Sequence, residues 1–501
     1  MSNDSLTTIQ KFTLLILSFC LVAFGQPAWV WWFGLLSALG GYACFWRVLL
    51  TIPGKFHRFL LAMGWFAGVQ IVQLSWAISH PYLYIYAILL IVVSFMGAQW
   101  GIIALWITPK AFQRIFTLMA LAGLWTILEW SRLFVLSGFP FDPIGLSLTG
   151  SLYPLQLASV GGIYLLTYWV MLANLLALRA WIQWPKTIPW VAFALFALFP
   201  YGFGAAHLQW HEKDFDNQSD RSLAVLLVQT AFPVEEKLTF QSYEEASQFV
   251  LEQWHQIFKL VSEHRSEHVD LILMPENLVP YGTYGLIFPL SSAVETFTHF
   301  FGSDALRSLP PVEPPFADLV QVGKEVHWYV NNAFLSQGLA NLWQAHLVIG
   351  LEDQLYRENE KEETYSAALH FQPNNQGIHR YEKRVLVPMG EYIPFDSCRQ
   401  LAAKYGVYGS FTPGKEARLF AGPIPLGPSI CYEEAFGHLM KDNRHKGAEM
   451  LVNLTNDGWY PHSKLPQQHF DHARLRTVEN GIPLVRACNT GITGALDSLG
   501  R

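Results

Sequence analysis

Charge is almost missing from the first two-fifths of this chain, and that restricts what it can fold into. The 501 residues include 33 Lys and Arg and 39 Asp and Glu, yet only twelve of these lie in positions 1–200. They are Asp4, Lys11, Arg47, Lys55, Arg58, Lys110, Arg114, Glu129, Arg132, Asp142, Arg179 and Lys186. A helix crosses a bilayer with about 20 mostly apolar residues, because its backbone bonds are all internal and hydrocarbon offers none. Seven runs fit: roughly 10–26, 28–48, 59–79, 82–108, 113–137, 156–180 and 187–206. The first has a basic lead at Lys11 and ends Ala23-Phe24-Gly25, as a cleaved signal would. Another apolar run follows almost at once, which favours a retained span.

Basic residues mark the cytoplasmic ends of spans. Arg47, Lys55 and Arg58 lie between runs two and three, Lys110 and Arg114 between four and five, and Arg179 and Lys186 between six and seven. They fall on alternate loops, on the same side as Lys11. Seven crossings from an inside N-terminus put residue 207 onward outside, which in a bacterium is the periplasmic face of the inner membrane. Glu129 and Arg132, three apart on one helical face, read as an interfacial ion pair or as a contact for a lipid head group or substrate. Gly138–Pro143 reads as a turn-rich external loop whose aromatics suit the interface.

Past 220 the pattern becomes short β-rich runs separated by amphipathic stretches. Leu223–Gln229, Val269–Met274, His346–Leu351, Ala367–Phe371, Met450–Leu454 and Leu484–Ala487 read as strands, and Phe240–His264 as a helix. Alternation of this kind argues an α/β fold. The expected domains are therefore 1–210, an α-helical transmembrane bundle, and 220–501, a periplasmic α/β domain. Residues 281–340 carry Phe288, Phe297, Phe300, Phe301 and two Pro-Pro pairs. They read as a long excursion, either a lipid-touching lid or a surface decoration. A net charge of -6 and no basic tract give no footing for nucleic acid. Five cysteines at 20, 44, 398, 431 and 488 show neither CxxC nor paired spacing, so no zinc site or disulfide framework is expected.

Three residues carry candidate chemistry. Cys431 ends the run Ile424–Ile430 and precedes a helical-looking Tyr432-Glu433-Glu434, where a helix N-terminus would lower its pKa. Glu276 follows an apolar strand and a proline, at the strand end where α/β folds place their sites. Lys383 supplies a cation for an oxyanion. Carboxylate, ammonium and thiol suit acyl transfer through a thioester, with Glu276 as general base. Cys398 and Cys488 are expected to lie too far from Cys431 for a disulfide.

The blocks Pro275-Glu276, Lys383 with Leu386–Pro394, and Cys431-Tyr432-Glu433 resemble the nitrilase, or carbon-nitrogen hydrolase, superfamily. Behind seven spans, with Asn453–Tyr460, His469, Arg474, Arg476, Glu479–Pro483 and Arg486–Gly491 downstream, they resemble its apolipoprotein N-acyltransferase family over essentially the whole chain. The resemblance implies a nitrilase-like αββα sandwich with a Glu276–Lys383–Cys431 triad. It implies that Glu391 orients Lys383, that the Tyr432 N–H joins the oxyanion hole, that Glu433 supports the site and that Gln229 matches a position near the pocket. The activity implied is transfer of a fatty acyl chain from a phospholipid to the amine of a diacylglyceryl-cysteine apolipoprotein, with no metal or organic cofactor, by a monomer. A membrane-anchored amidase or nitrilase, and a non-enzymatic membrane protein with a decayed domain, are the rival readings. Lys237-Leu238 stands where relatives tend to have a tryptophan after the lysine, and Glu276 and Lys383 are farther apart than in relatives. Family members continue past the turn at Gly494–Ser498 through further strands and an eighth span, so the domain is expected to be cut short.

Overall fold

The computed structural model describes residues 6–215, 222–234, 240–355, 363–375, 377–404 and 410–501. They form two compact units. One holds the N-terminal helices with Trp459–Gly481 and Asp497–Arg501; the other holds the segment ending at Gly458 together with Ile482–Leu496.

In the first unit every apolar run coincides with helix: Thr8–Ala23, Pro27–Leu49 in three joined pieces, Lys55–Gln73, Tyr84–Ala104, Ile115–Ser131, Ala158–Ile182 and Thr187–Phe215. Four helices among the described residues are long and apolar enough to cross a membrane: Pro27–Leu49, Tyr84–Ala104, Ala158–Ile182 and Thr187–Lys213. Aromatic rings fill the interior, with Trp46 stacked on Trp100 at 4.5 Å and Trp125 edge-on to Trp100 at 4.5 Å.

Breaks in these helices are repaired by side chains, as an apolar surrounding requires. A π-helical turn at Ser37–Gly41 disturbs the regular ladder. Asn174 spans it, donating Nδ2 to Ser37 O and Ala38 O and accepting from Ala43 N. The helix Ala158–Ile182 kinks at Gly161 and Gly162, the latter at φ +64°, which favours glycine. The freed N–H of Ile163 donates to Glu479 Oε1 at 2.8 Å, and Arg476 holds the other oxygen of that carboxylate at 2.7 Å. Glu479 belongs to the helix Leu465–Asn480, which falls in the first unit.

The expected interfacial pair is corrected. Glu129 and Arg132 are both buried. Glu129 accepts from Trp125 Nε1, Ile144 N and Thr167 Oγ1, and Arg132 Nε donates to Gln99 Oε1. A carboxylate taking three such bonds is enclosed by protein and not open to solvent.

The second unit contains thirteen strands among its described residues: β1 Val225–Leu227, β2 Leu271–Leu273, β3 Phe288–Pro289, β4 Ala317–Val322, β5 Glu325–Val330, β6 His346–Leu355, β7 Glu363–Phe371, β8 His379–Glu382, β9 Phe420–Ala421, β10 Pro425–Ile430, β11 Met450–Thr455, β12 Leu484–Cys488 and β13 Gly494–Leu496. Two five-stranded sheets have the orders β1-β2-β6-β7-β8 and β13-β12-β11-β10-β9. Leu271, Leu273, Val348 and Tyr381 of one sheet cluster with Ile430, Val452, Leu454 and Val485 of the other, so the sheets face each other. Helices Tyr243–Ser262 and Asn332–Trp343 cover the outer face of the first sheet. The helix Gly437–His445 covers the second, where Asn443 Nδ2 donates to Pro428 O. The layering is αββα.

The reading of 281–340 as an excursion is corrected in part. Phe288, Phe297 and Phe301 are buried in the core with the helices Leu290–Phe301 and Asn332–Trp343. Their spacing suits a helix–sheet contact as well as a lipid surface, and composition alone does not separate the two. The β4–β5 hairpin exposes Leu319, Val322, Val326 and Trp328, and Tyr281, Tyr284 and Val312 are exposed outside it.

Candidate active site

Each of the three sequence-predicted groups sits just past the C-terminal end of a strand. Glu276 lies beyond β2, where the chain keeps pairing with β6: Gly350 N donates to Pro275 O and Leu278 N to Gly350 O. That approach needs a glycine. A Cβ at Gly350 would lie 2.5 Å from Glu276 Cα and 2.7 Å from Pro275 O. Lys383 is the residue after β8, still bonded to β7 through Ser366 O at 2.9 Å. Cys431 follows β10 at φ +49°, a left-handed conformation uncommon for a residue with a Cβ, and so it turns the chain sharply.

The structure brings Glu276, Lys383, Glu391 and Cys431 together. Lys383 Nζ lies 2.8 Å from Glu276 Oε1 and 2.6 Å from Glu391 Oε1. Cys431 is hydrogen-bonded to Glu276, and the Asn456 N–H donates to the sulfur. Glu391 is itself braced, its Oε2 accepting from Val387 N at 2.8 Å within the loop Leu386–Pro394.

Electrostatics corrects one expectation. Cys431 does not open an α-helix. It opens the 3-10 turn Cys431–Ala435, too short to carry much dipole. Burial, and then the Glu276 carboxylate, push its thiol well above the ordinary value, outweighing Lys383. Burial also raises Glu276, while Lys383 opposes that rise. Burial pulls Lys383 down, but Glu276 and Glu391 outweigh it and hold the ammonium well above its usual range. The resting site therefore holds a thiol and an ammonium, with the thiol proton facing a carboxylate.

Glu433 is fully buried and works as a knot. Its Oε2 accepts from Ile430 N at 2.9 Å and Tyr381 Oη at 2.8 Å, and its Oε1 from Arg384 N at 2.6 Å and Val385 N at 3.2 Å. It ties the segment after Lys383 to the strand that delivers Cys431. Tyr432 packs its ring edge-on to Phe436 at 4.9 Å. Gln229 is exposed, its Nε2 donating to Gly491 O, and it bonds none of the three central groups. Lys237 and Leu238 lie outside the described residues. None of the five cysteines is in a disulfide.

Sequence reasoning gave no role to Asn453 or Tyr381. Asn453 Nδ2 donates to Ser429 Oγ and to Cys431 O, steadying the turn from beneath. A polar residue within an otherwise apolar β11 was the available signal for it, and the alternation His379-Arg380-Tyr381-Glu382 was the signal for an inward Tyr381. Among the described residues no group of three or more His, Cys, Asp or Glu is placed to hold a metal ion.

Comparison with known sequences is direct. A carbon-nitrogen hydrolase family model matches residues 246–501, and an apolipoprotein N-acyltransferase N-terminal domain model matches residues 17–176. An apolipoprotein N-acyltransferase of Chlamydia pneumoniae is 34% identical over 97% of this chain and 86% of its own length. One from Chlamydia caviae is 30% identical over the same shares. Among solved structures, Saccharomyces cerevisiae Nit3, of the nitrilase superfamily, aligns at 16% identity and a TM-score of 0.34 over 56% of this chain and 83% of that chain.

Proposed function

The chain belongs to the apolipoprotein N-acyltransferase family, and from that premise we propose that it moves a fatty acyl chain from a membrane phospholipid to the N-terminal amine of a diacylglyceryl-cysteine lipoprotein by way of a thioester on Cys431. The observation that carries the reading is the buried Lys383 ammonium, 2.8 Å from a Glu276 carboxylate that also receives the Cys431 thiol.

In the first half-reaction Glu276 takes the thiol proton as sulfur attacks the ester carbonyl. The oxyanion is met by Lys383 and the Tyr432 N–H; a single donor of this kind supplies about 3–4 kcal/mol. The C–O bond breaks, the proton on Glu276 passes to the departing alkoxide, and lysophospholipid leaves. In the second half the lipoprotein amine attacks the thioester, Glu276 accepts an amine proton, and the C–S bond breaks. That proton returns to sulfur, so atoms and charge close over the cycle. A thiol that is protonated at rest suits this scheme, because it is activated only when a carbonyl accepts the developing charge. Glu391 and Glu433 position Lys383 and the turn.

The test is to incubate the full-length protein in detergent with acyl-labelled phospholipid. Hydroxylamine-sensitive label should appear on Cys431 and move to an added diacylated lipopeptide, and Cys431→Ser should show neither event. Acylation of the lipopeptide by the Ser variant at the parent rate would overturn the thioester. Release of free fatty acid with no lipopeptide product would favour hydrolysis.

A further inference from the structure

Arg486 lies in the middle of β12, beside Asn453 of β11, and has no exposed surface. Its Nη1 is 3.0 Å from Glu434 Oε1, and neither side chain is exposed at all. Its Nη2 is 3.5 Å from Asp457 Oδ2. One guanidinium is thus shared by two carboxylates deep in the second unit, outside the Glu276–Lys383–Glu391 cluster.

The two carboxylates sit on the two segments that flank the thiol. Glu434 is three residues beyond Cys431, inside its 3-10 turn. Asp457 follows Asn456, whose N–H donates to the sulfur. Asp457 N in turn donates to Thr490 O at 3.0 Å. Room for the Asp457 carboxylate depends on Gly491, at φ +129°, where a Cβ would lie 2.6 Å from Oδ2. The breadth of the guanidinium lets one side chain pair with both carboxylates at once, which a lysine ammonium does not reproduce. Buried ion groups add little stability over apolar side chains of equal volume, so stability is a weak reason to find one here.

We propose that Arg486 is a positioning residue for the nucleophile: by gripping Glu434 and Asp457 it holds the turn after Cys431 and the Asn456 amide in register with the sulfur. The charged groups acting on that sulfur include Glu276, Lys383, Asp457 and Arg486, with Glu391 behind Lys383 and Glu434 in the same turn. The inference rests on Cys431 being the nucleophile of the proposed reaction.

The experiment compares the full chain with Arg486→Lys, Arg486→Met and Glu434→Gln, all in detergent. Iodoacetamide alkylation of Cys431 is followed by mass spectrometry across a pH series, beside thermal unfolding. Arg486→Lys should keep the fold, slow alkylation roughly 10-fold and shift its pH midpoint, since a small misplacement of a reacting group is costly. Glu434→Gln should move both readouts in the same sense by less, and it carries the test where the arginine variants fail to fold. A folded Arg486→Lys chain alkylated at the parent rate and midpoint overturns the proposal. The parent's own hydroxylamine-sensitive label keeps the two questions apart. Its absence sinks the nucleophile assignment, whereas its presence with unchanged alkylation in the variants sinks only the role of Arg486.

Discussion

Lys383 sits between two carboxylates, Glu276 and Glu391, at 2.8 and 2.6 Å. Removing the cation leaves both carboxylates buried and unpaired, which typically costs about 3–5 kcal/mol. Lys383→Met should therefore lose acyl transfer and also loosen the strand ends, read as faster amide hydrogen exchange at 274–278 and 383–387. The loosening should be smaller in acid, where Glu276, its pKa raised by burial, takes up a proton and the repulsion lapses. In the parent, the folded-state pKa of Lys383 is raised. Its contribution is thus complete below the unfolded value, about 10.4, and disappears as pH rises through the folded one. Alkaline unfolding should carry this signature, and Lys383→Met should lack it.

At the scale of elements, the site is assembled by how closely strands approach one another. The backbone of Glu276 lies against β6 where residue 350 has no side chain. In Gly350→Ala the new methyl meets backbone atoms and not a flexible side-chain tip, so the β2–β6 approach must widen. Overpacking of this kind typically costs 1–3 kcal/mol, and moving the carboxylate by about an ångström costs roughly 100-fold in rate. We expect kcat to fall far more than the melting temperature. A variant with the parent kcat would show that Glu276 does not depend on β6 for its place. The strands themselves were readable from short Val, Ile and Leu runs, because a buried strand must be apolar on both faces. The helices Leu290–Phe301 and Asn332–Trp343 were missed, because their aromatic and polar residues suit a surface arm as well as a core.

For the whole molecule, we propose seven crossings with the α/β unit outside, on the strength of alternating basic loops. On a Cys431→Ser background, a cysteine placed at Glu313 should react with a membrane-impermeant maleimide in intact spheroplasts. One placed at Lys110 should react only after permeabilisation. The reverse pattern would invert the topology.

What the sequence determined by itself is whatever depends on neighbours along the chain. Apolar runs long enough for helices, strand runs, the order Glu276, Lys383, Cys431 and their places after apolar segments are all local properties, set by backbone hydrogen bonding and the polarity of the surroundings. What only the tertiary structure decided are relations between distant residues. Lys383 shares its charge with Glu276 and Glu391, Glu433 joins two strand ends, Asn174 mends a distant π turn, and Glu479 accepts from the Ile163 N–H at a distant helix kink. The sense of the Cys431 shift belongs here as well. Sequence placed a helix end and a cation beside the thiol, but burial and an adjacent carboxylate outweigh them. Desolvation depends on everything packed around a group, and no local stretch of sequence specifies that.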